Sequence, residues 1–378
     1  MPINAIPYFV FRDFPEGINR EVEQALMQAA TGNSFILGEE VEAFEQEFAA
    51  AVGAGTGAAI GVGNGFDALV VALKAAGVSP GDEVIVPANT FIATVNAVVH
   101  VGATPVLVEP DIHTYNITAE TAAEAITKHT KAIIPVHLYG QACQMEELMQ
   151  LAAAHELIVI EDFAQAQGAT FAGKPVGSFG HINATSFYPT KNLGALGDGG
   201  AVVTSDAELT AFARMYRNYG QEQKYHNKIV GINSRLDTLQ AAVLRVKLQY
   251  LDALNAARQR LAQVYLQELQ STGDLILPYT APKCTHVYHI FNIRTKYRDA
   301  LQSYLKEQGI STAIHYPVPV HLQQAYAFLG FNAGAFPVAE ELANTSLSLP
   351  LFPGMTDLEQ ARVVQAVKEF YQSKNQQW

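Results

Sequence analysis

Between residues 58 and 206, short apolar runs rich in β-forming residues alternate with stretches of helical periodicity. The seven strand-like runs are 58–62, 83–87, 105–108, 132–136, 157–160, 184–187 and 201–204. Helix-like stretches separate most of them, at 67–76, 92–99, 119–127 and 145–155. Continuous apolar strands separated by amphipathic helices are typical of a mostly parallel sheet with helices on both faces. The pattern therefore predicts an α/β protein with a large domain built on a mostly parallel seven-stranded sheet.

The pattern changes after residue 206, where the helical stretches become longer. They cover 237–257 and 258–270, and are followed by a strand-like run at 286–294, a helix at 297–308 and a last helix at 357–371. Helices and strands that no longer alternate indicate a smaller α+β domain. We therefore predict three parts: an N-terminal segment, 1–30, that packs on the small domain or on a dimer partner, a large domain, 31–250, and a small C-terminal domain, 251–378.

Composition limits the classes of function. The chain has 378 residues, of which 49% are apolar and 16% charged, so it can form a sizeable core. A net charge of −12 argues against a nucleic-acid partner, and the two cysteines imply no disulfide framework. No basic and apolar leader and no apolar run of about 20 residues is present, so we expect a soluble cytoplasmic protein without a membrane partner. No metal site is predicted.

Lys191 lies in an unusual stretch, 186–200, in which aromatic residues, a proline and several glycines surround it. Lysines are usually solvated, but Phe187, Tyr188 and Leu193 do not form a solvated face. Asp162 comes at the end of a buried-looking strand, although by itself it equally fits the cap of a turn. A lysine amine and a strand-end carboxylate are the groups needed to hold pyridoxal phosphate (PLP): the lysine binds it covalently, and the acid keeps its pyridine nitrogen protonated.

The glycine-rich segment 61–69 joins a predicted strand to a predicted helix. Its backbone N–H groups and the start of the helix suit a phosphate, with Ser186 as a second ligand. The segment also satisfies a relaxed dinucleotide pattern, G-x-G-x-x-A. However, Asp82 and Glu83 precede the next strand, whereas a dinucleotide fold needs an acid at its end. An NAD-dependent oxidoreductase is therefore a weak alternative.

Phe91 follows the strand-like run 83–87, at the sheet edge where α/β folds bind ligands. A flat aromatic ring at this edge can stack on a flat cofactor ring, although such a residue alone is more often part of a core. The order of glycine turn, aromatic residue, strand-end acid, serine and lysine matches the layout of a fold-type I PLP enzyme.

Segments that span nearly the whole chain resemble the DegT/DnrJ/EryC1/StrS family of PLP-dependent nucleotide-sugar aminotransferases. They are 36–38 with 44–45, 64–69, 161–166, 186–200, 231–242 and 315–323. The most specific are the lysine block and the Asn-x-Arg-x-x-x-x-Gln-Ala-Ala block that begins at Asn233. The resemblance implies a fold-type I aminotransferase that uses PLP and acts as a homodimer.

The resemblance also implies roles for individual residues. Lys191 would bind the cofactor and move a proton between Cα of L-glutamate and C4′ of the cofactor. Asp162 would pair with the pyridinium nitrogen, Gln165 would contact the ring oxygen, and Phe91 would stack on the ring. The implied phosphate ligands are Ser186, the backbone at Gly65 and Phe66, and Asn233 from the neighbouring subunit. The implied substrate-binding residues are Tyr188, Arg217, Tyr219, Lys224, Arg235, His315, Tyr316 and His321.

Two positions distinguish this chain within the pattern. The family commonly has Asn-Gly-Thr-Asp, whereas this chain has Phe66 for the threonine, so any phosphate contact there must come from backbone N–H. Some relatives carry a histidine in place of the lysine and act as dehydratases. This chain keeps Lys191, which favours transamination.

The segments around 217–220, 224–225 and 231–248 resemble the branch that acts on dTDP-3-keto-6-deoxyhexoses, with amination at C3. A nucleotide diphosphate needs local cations on this acidic protein, and Arg217, Lys224, Lys228 and Arg235 are candidates, although each alone is equally an ordinary surface charge. Two alternatives stay open: a 4-aminotransferase on a UDP- or GDP-4-keto-6-deoxy sugar, and a regulator that binds PLP and a sugar without turnover.

Overall fold

The computed structural model describes residues 5–55 and 57–375, so 1–4 and 376–378 of the two predicted terminal parts lie outside the described residues. The strands are β1 Ala58–Val62, β2 Glu83–Pro87, β3 Thr104–Val108, β4 Thr130–Ile133, β5 Ile158–Val159, β6 Thr170–Phe171, β7 Lys174–Pro175, β8 Asn183–Ser186, β9 Gly200–Thr204, β10 Gln221–Gln223, β11 His226–Asn227, β12 Phe291–Arg294 and β13 Ser346–Leu349. The helices are α1 Ile18–Ala30, α2 Glu39–Ala51, α3 Gly65–Ala75, α4 Ile92–His100, α5 Ala119–Ala123, α6 Met145–Ala154, α7 Ala207–Tyr216, α8 Thr238–Gln249, α9 Leu251–Glu268, α10 Arg298–Glu307, α11 Pro337–Thr345 and α12 Asp357–Asn375.

Seven of these strands form the central sheet, in the order β3-β2-β4-β5-β8-β9-β1. Strands β3, β2, β4 and β5 pair in parallel, while β9 runs antiparallel to both β8 and β1. Single parallel bridges from Asp162 to Val136 and to Ala184 continue the sheet from β4 through β5 to β8. The prediction of a mostly parallel seven-stranded sheet is confirmed.

Both faces of this sheet are buried, which explains why its strands read as continuous apolar runs. In β2, Val84 and Val86 pack into one core cluster with α3 and α4, whereas Ile85 packs into another with α2 and α6. Strand β9 divides in the same way, because successive side chains point to opposite faces of a strand.

The C-terminal part has its own core, in which α9, α10 and α12 pack on the antiparallel pair of β12 and β13. Ile6 bridges to Ile310 and packs into this core, whereas α1 packs on α8, so only part of the N-terminal segment lies on the C-terminal part. The predicted helical stretch 237–270 is broken at Tyr250, where α8 ends and α9 begins. Between the predicted helices 297–308 and 357–371 the structure also has α11 and β13, which the sequence did not predict. The domain boundaries themselves stay predictions.

A buried ion pair ties α2 to the sheet and to α7. Glu45 on α2 accepts a hydrogen bond from the Gly61 N–H at 2.8 Å and pairs with the Arg217 guanidinium, which also donates to the Gly61 carbonyl at 2.5 Å. Arg214 reaches the other carboxylate oxygen at 3.1 Å but is nearly half exposed. Removing one partner of a buried pair leaves a charge without compensation, which destabilises a fold more than the intact pair stabilises it.

We therefore expect Arg217→Met to lower the free energy of unfolding by about 3 kcal/mol, measured by urea denaturation. Arg214→Met is the matched control, because it removes the exposed partner of the same carboxylate and should cost at most about 1 kcal/mol. Equal effects of the two substitutions would contradict the structural role of Arg217.

Candidate active site

Lys191 lies on a tight loop between β8 and β9, at the edge of the sheet. Its backbone N–H donates to the Tyr188 carbonyl at 2.8 Å. A Cβ at Gly194 would collide with the backbone of Pro189, so only glycine lets the chain fold back this closely. The loop thus presents the lysine in one place instead of leaving it in solvent.

Asp162 lies just beyond β5, in the middle of the sheet, where it is 7% exposed. One carboxylate oxygen accepts from the Thr94 hydroxyl at 2.8 Å, and the other accepts from the Ala164 N–H at 3.2 Å. Burial raises the pKa of Asp162, while these two hydrogen bonds and Lys191 oppose the rise. The carboxylate is therefore held in one orientation and is poorly compensated by the charges around it.

The two charged groups act on each other. Burial lowers the pKa of Lys191 to about 8, and Asp162 opposes this shift. His289 and His315 lie within range of the same amine, and burial together with Lys191 lowers the pKa of His315 to about 4. At neutral pH both imidazoles are therefore neutral. Because burial disfavours the charged amine, a substantial fraction of Lys191 can lose its proton near pH 8.

The predicted phosphate ligands come together. Gly65 begins α3, and a Cβ on it would lie 2.5 Å from Cβ of Ser186 at the end of β8, so the glycine is needed for this approach. The Asn64 side chain caps α3 by accepting from the Asp67 N–H at 2.8 Å. The Phe66 ring packs edge-on against His100, and at this position only the backbone can serve an anion.

Two aromatic rings, those of Phe91 and Tyr316, lie close together near the strand ends. The Phe91 ring is 49% exposed and lies 5.4 Å from the Tyr316 ring. The Gln165 side chain is fixed between two partners: it accepts from the Tyr139 N–H at 2.7 Å and donates to the Tyr316 hydroxyl at 3.0 Å. His315 and Tyr316 line a small cavity together with Asn89, Thr90 and Tyr139.

These residues fit PLP. The buried carboxylate of Asp162 needs a cationic partner, which a pyridinium nitrogen supplies, and the space between Gly65 and Ser186 would be filled by any side chain larger than hydrogen. Lys191 offers an amine of lowered pKa, and Phe91 offers an open ring face. The individual ligand roles inferred from the resemblance stay predictions.

Two predicted substrate residues are corrected by the structure. Arg217 is buried in the ion pair with Glu45, so its guanidinium is not free for a diphosphate. His321 is also buried; it pairs with Glu340 at 2.9 Å and packs on Phe336. The sequence could not reveal either outcome, because each partner is distant along the chain or lies in a different element.

Of the other predicted substrate residues, His315 and Tyr316 line the small cavity, whereas Tyr188, Tyr219, Lys224 and Arg235 reach the surface. Tyr188 and Tyr219 are about half exposed, and Arg235 lies over the Tyr219 ring and donates to Asn218 at 3.0 Å. Asn233 and Lys224 are exposed. Sequence reasoning missed Thr94, Tyr139 and His289, which hold or surround Asp162, Gln165 and Lys191. No motif marks them, since each acts through a neighbour that only the fold supplies.

Known proteins similar to this chain are aminotransferases. Residues 16–368 match the model of the DegT/DnrJ/EryC1/StrS aminotransferase family. The chain is 48% identical over 365 residues to a dTDP-3-amino-3,6-dideoxy-alpha-D-galactopyranose transaminase of Aneurinibacillus thermoaerophilus, covering 97% of this chain and 99% of that one. It is 45% identical over 371 residues to a dTDP-3-amino-3,4,6-trideoxy-alpha-D-glucose transaminase of Streptomyces venezuelae, covering 98% and 97%. The crystal structure of S. venezuelae DesV with a ketimine intermediate superimposes with a TM-score of 0.94, at 46% identity, covering 97% of this chain and 98% of that one.

The chain therefore belongs to the DegT/DnrJ/EryC1/StrS aminotransferase family. The predictions of the family, of the fold-type I class, of a transaminase and of PLP as cofactor are confirmed. In the part of the chain that the structure describes, no helix is long and apolar enough to cross a membrane.

The lowered pKa of Lys191 has a measurable consequence. Only the neutral amine attacks an aldehyde, so the rate at which cofactor-free protein binds PLP covalently should rise with pH, with a midpoint near 8 instead of near 10.5. Because Asp162 raises the pKa of Lys191, Asp162→Asn should move this midpoint to lower pH. Stopped-flow absorbance after reconstitution measures both.

Lys174→Met is the control, since Lys174 lies over Phe179 on another surface and should leave the midpoint unchanged. A midpoint that stays the same in Asp162→Asn would show that the two charges do not interact as the structure places them.

Proposed function

We propose that this aminotransferase transfers the amino group of L-glutamate to the 3-keto carbon of a dTDP-3-keto-6-deoxyhexose, which gives a dTDP-3-amino-3,6-dideoxyhexose and 2-oxoglutarate. The observation that carries the proposal is the pair of Lys191 and Asp162 at one sheet edge. The two charges interact, and burial opposes the charged form of each. Such a pair is the working part of a transaminase and is not needed by a protein that only binds its ligands.

Each residue of the pair has a task in both half-reactions. Bound PLP supplies an electron sink for the charge that develops when Cα of the donor loses its proton. Asp162, oriented by Thr94, would keep the ring nitrogen protonated. Lys191 takes the proton from one carbon and returns it to another. Its pKa of about 8 lies in the range in which a general base works best.

The 3-keto assignment is supported by the names of two relatives, each a transaminase of a dTDP-3-amino deoxyhexose at 45% identity or more. Both names place the amine at C3 of the sugar. The two relatives differ at C4: the galactopyranose keeps a hydroxyl there, and the 3,4,6-trideoxy sugar has none.

Cations for the nucleotide diphosphate are available near the loop that carries Asn233. Lys224, Lys228 and Arg235 lie on this surface, and Arg235 is held by Tyr219 and Asn218. Lys228 pairs with Glu222, but both side chains are largely exposed, so the pair is weak and can exchange partners. Arg235 is therefore the best ordered candidate for a planar, two-point contact with a phosphate.

The same surface supports a homodimer with shared active sites. Asn233 is exposed and bridges to Asn218, on a surface that carries large exposed apolar side chains. These are Phe35, Ile36, Leu196, Tyr219, Tyr225 and Val230. Apolar exposure of this extent favours burial against a second copy, which would bring Asn233 to the phosphate of the partner's cofactor.

The first test is spectroscopic. The purified protein should carry the absorbance band of bound PLP, L-glutamate should bleach it, and a dTDP-3-keto-6-deoxyhexose should restore it. Lys191→Ala should lose turnover completely. If only a UDP- or GDP-4-keto sugar restored the band, the protein would still be a transaminase, but amination would take place at C4.

Sharing of the site between subunits predicts complementation. Lys191→Ala and Asn233→Ala should each be inactive or nearly so, but subunits mixed after mild dissociation should regain about a quarter of the wild-type sites, because half of the dimers are mixed and one site in each is intact. If Asn233 served its own subunit, mixing would restore nothing. Size-exclusion chromatography with light scattering confirms that the mixed species are dimers.

A further inference from the structure

Arg258 is a buried cation without an acidic partner. It lies on α9 with 2% of its surface exposed, and it donates only to the carbonyls of Tyr288, His289 and Leu351, at 3.3–3.4 Å. Its Nε is buried and has no hydrogen-bond partner among the described residues. Buried charges are normally paired, and burial lowers the pKa of Arg258 to about 10. This guanidinium therefore has unused capacity to bind an anion.

The side chain lines a cavity of about 130 Å³ between the N-terminal segment and the loop that carries Lys191. Lys191 and Lys247 line the same cavity, and its walls include Phe9, Phe11 and Leu254. Among the described residues, no aspartate or glutamate lines it. The cavity is thus apolar in its walls and positive in its charges.

The other cations of the cavity differ in how well they are satisfied. Arg12 is neutralised by Glu359, with two contacts at 2.5 and 2.8 Å. Lys247 donates to the Gly194 carbonyl at 2.7 Å, and burial lowers its pKa to about 8. Arg258 and Lys247 are therefore the two cations without an acidic partner that an entering anion could neutralise.

The cavity also borders the catalytic amine. Lys191 must reach Cα of the amino donor to move its proton. A carboxylate of the donor that enters this cavity therefore lies close to that carbon. Arg258 and Lys191 both act on His289, which places the guanidinium in the same electrostatic neighbourhood as the amine. The cofactor phosphate is expected elsewhere, at Gly65 and Ser186.

We propose that Arg258, assisted by Lys247, binds a carboxylate of the amino donor in this acid-free cavity beside Lys191. A planar guanidinium with a free Nε matches a carboxylate in two-point geometry. The guanidinium itself is buried, which strengthens its pairing with an anion. A keto sugar carries no carboxylate, so this contact serves only the half-reaction with the donor. The inference rests on the proposed transamination, yet it concerns that half-reaction alone.

The test separates the two half-reactions of the holoenzyme by stopped-flow absorbance. Arg258→Met should lower kcat/KM for bleaching by L-glutamate roughly 100-fold or more, while the rate at which the keto sugar restores the band in the amino-loaded enzyme stays close to wild type. Glutarate, which has no amine, should protect the wild-type holoenzyme against heat and protect Arg258→Met much less. L-Alanine has only the α-carboxylate, so it identifies which carboxylate Arg258 binds. If Arg258→Met loses as much kcat/KM with L-alanine as with L-glutamate, the α-carboxylate is bound; if it loses none with L-alanine, the distal carboxylate is bound.

The matched control is Arg260→Met, two residues along the same helix, where the exposed guanidinium pairs with Asp357; it should change neither half-reaction. If Arg258→Met fails to fold, Lys247→Gln should still weaken glutamate and glutarate selectively. Equal losses in both half-reactions, or wild-type use of glutamate by these variants, would overturn the proposal. Because bleaching by glutamate is measured without any sugar, a wrong sugar assignment would leave this result unaffected.

Discussion

The ends of the parallel strands decide where chemistry takes place in this protein. Asp162 bridges in parallel to Val136 on one side and to Ala184 on the other, so its carboxylate emerges at the middle of the sheet. The loop from β8 to β9 begins beside it and brings Lys191 back to the same edge, and α3 and α4 begin there as well. Every predicted cofactor contact within one subunit depends on this convergence.

Burial then sets the charges that the convergence brings together. Desolvation raises the pKa of Asp162 and lowers that of Lys191, and the attraction between them reduces both shifts. A site of this kind is electrostatically incomplete by itself, and a cationic ring bound to Asp162 would compensate it. Arg258, which lines a cavity together with Lys191, repeats this condition as a buried cation without an acidic partner among the described residues.

Elsewhere, the fold uses charge for structure. Glu45 joins α2, β1 and α7 through Arg217, and Glu161, next to Asp162, accepts from His137 and from backbone N–H groups of the 177–180 turn. Glu161 thus fixes this turn to the end of the strand that leads into Asp162. The structural acid holds in place the backbone beside the predicted catalytic acid. In the sequence Arg217 looks like a site residue, because its burial and pairing leave no local pattern.

The sequence by itself determined the sheet and the family and predicted the cofactor residues, because these depend on patterns that are local. Strand periodicity, a glycine before a helix and the neighbours of Lys191 can each be read within a few residues. Only the tertiary structure decided which charges are free. Arg217 and His321 are paired with Glu45 and Glu340. Arg258, which no motif marks, has no acidic partner among the described residues. The physical reason is that the state of a buried charge depends on groups brought together from different elements, and the chain order does not contain those distances.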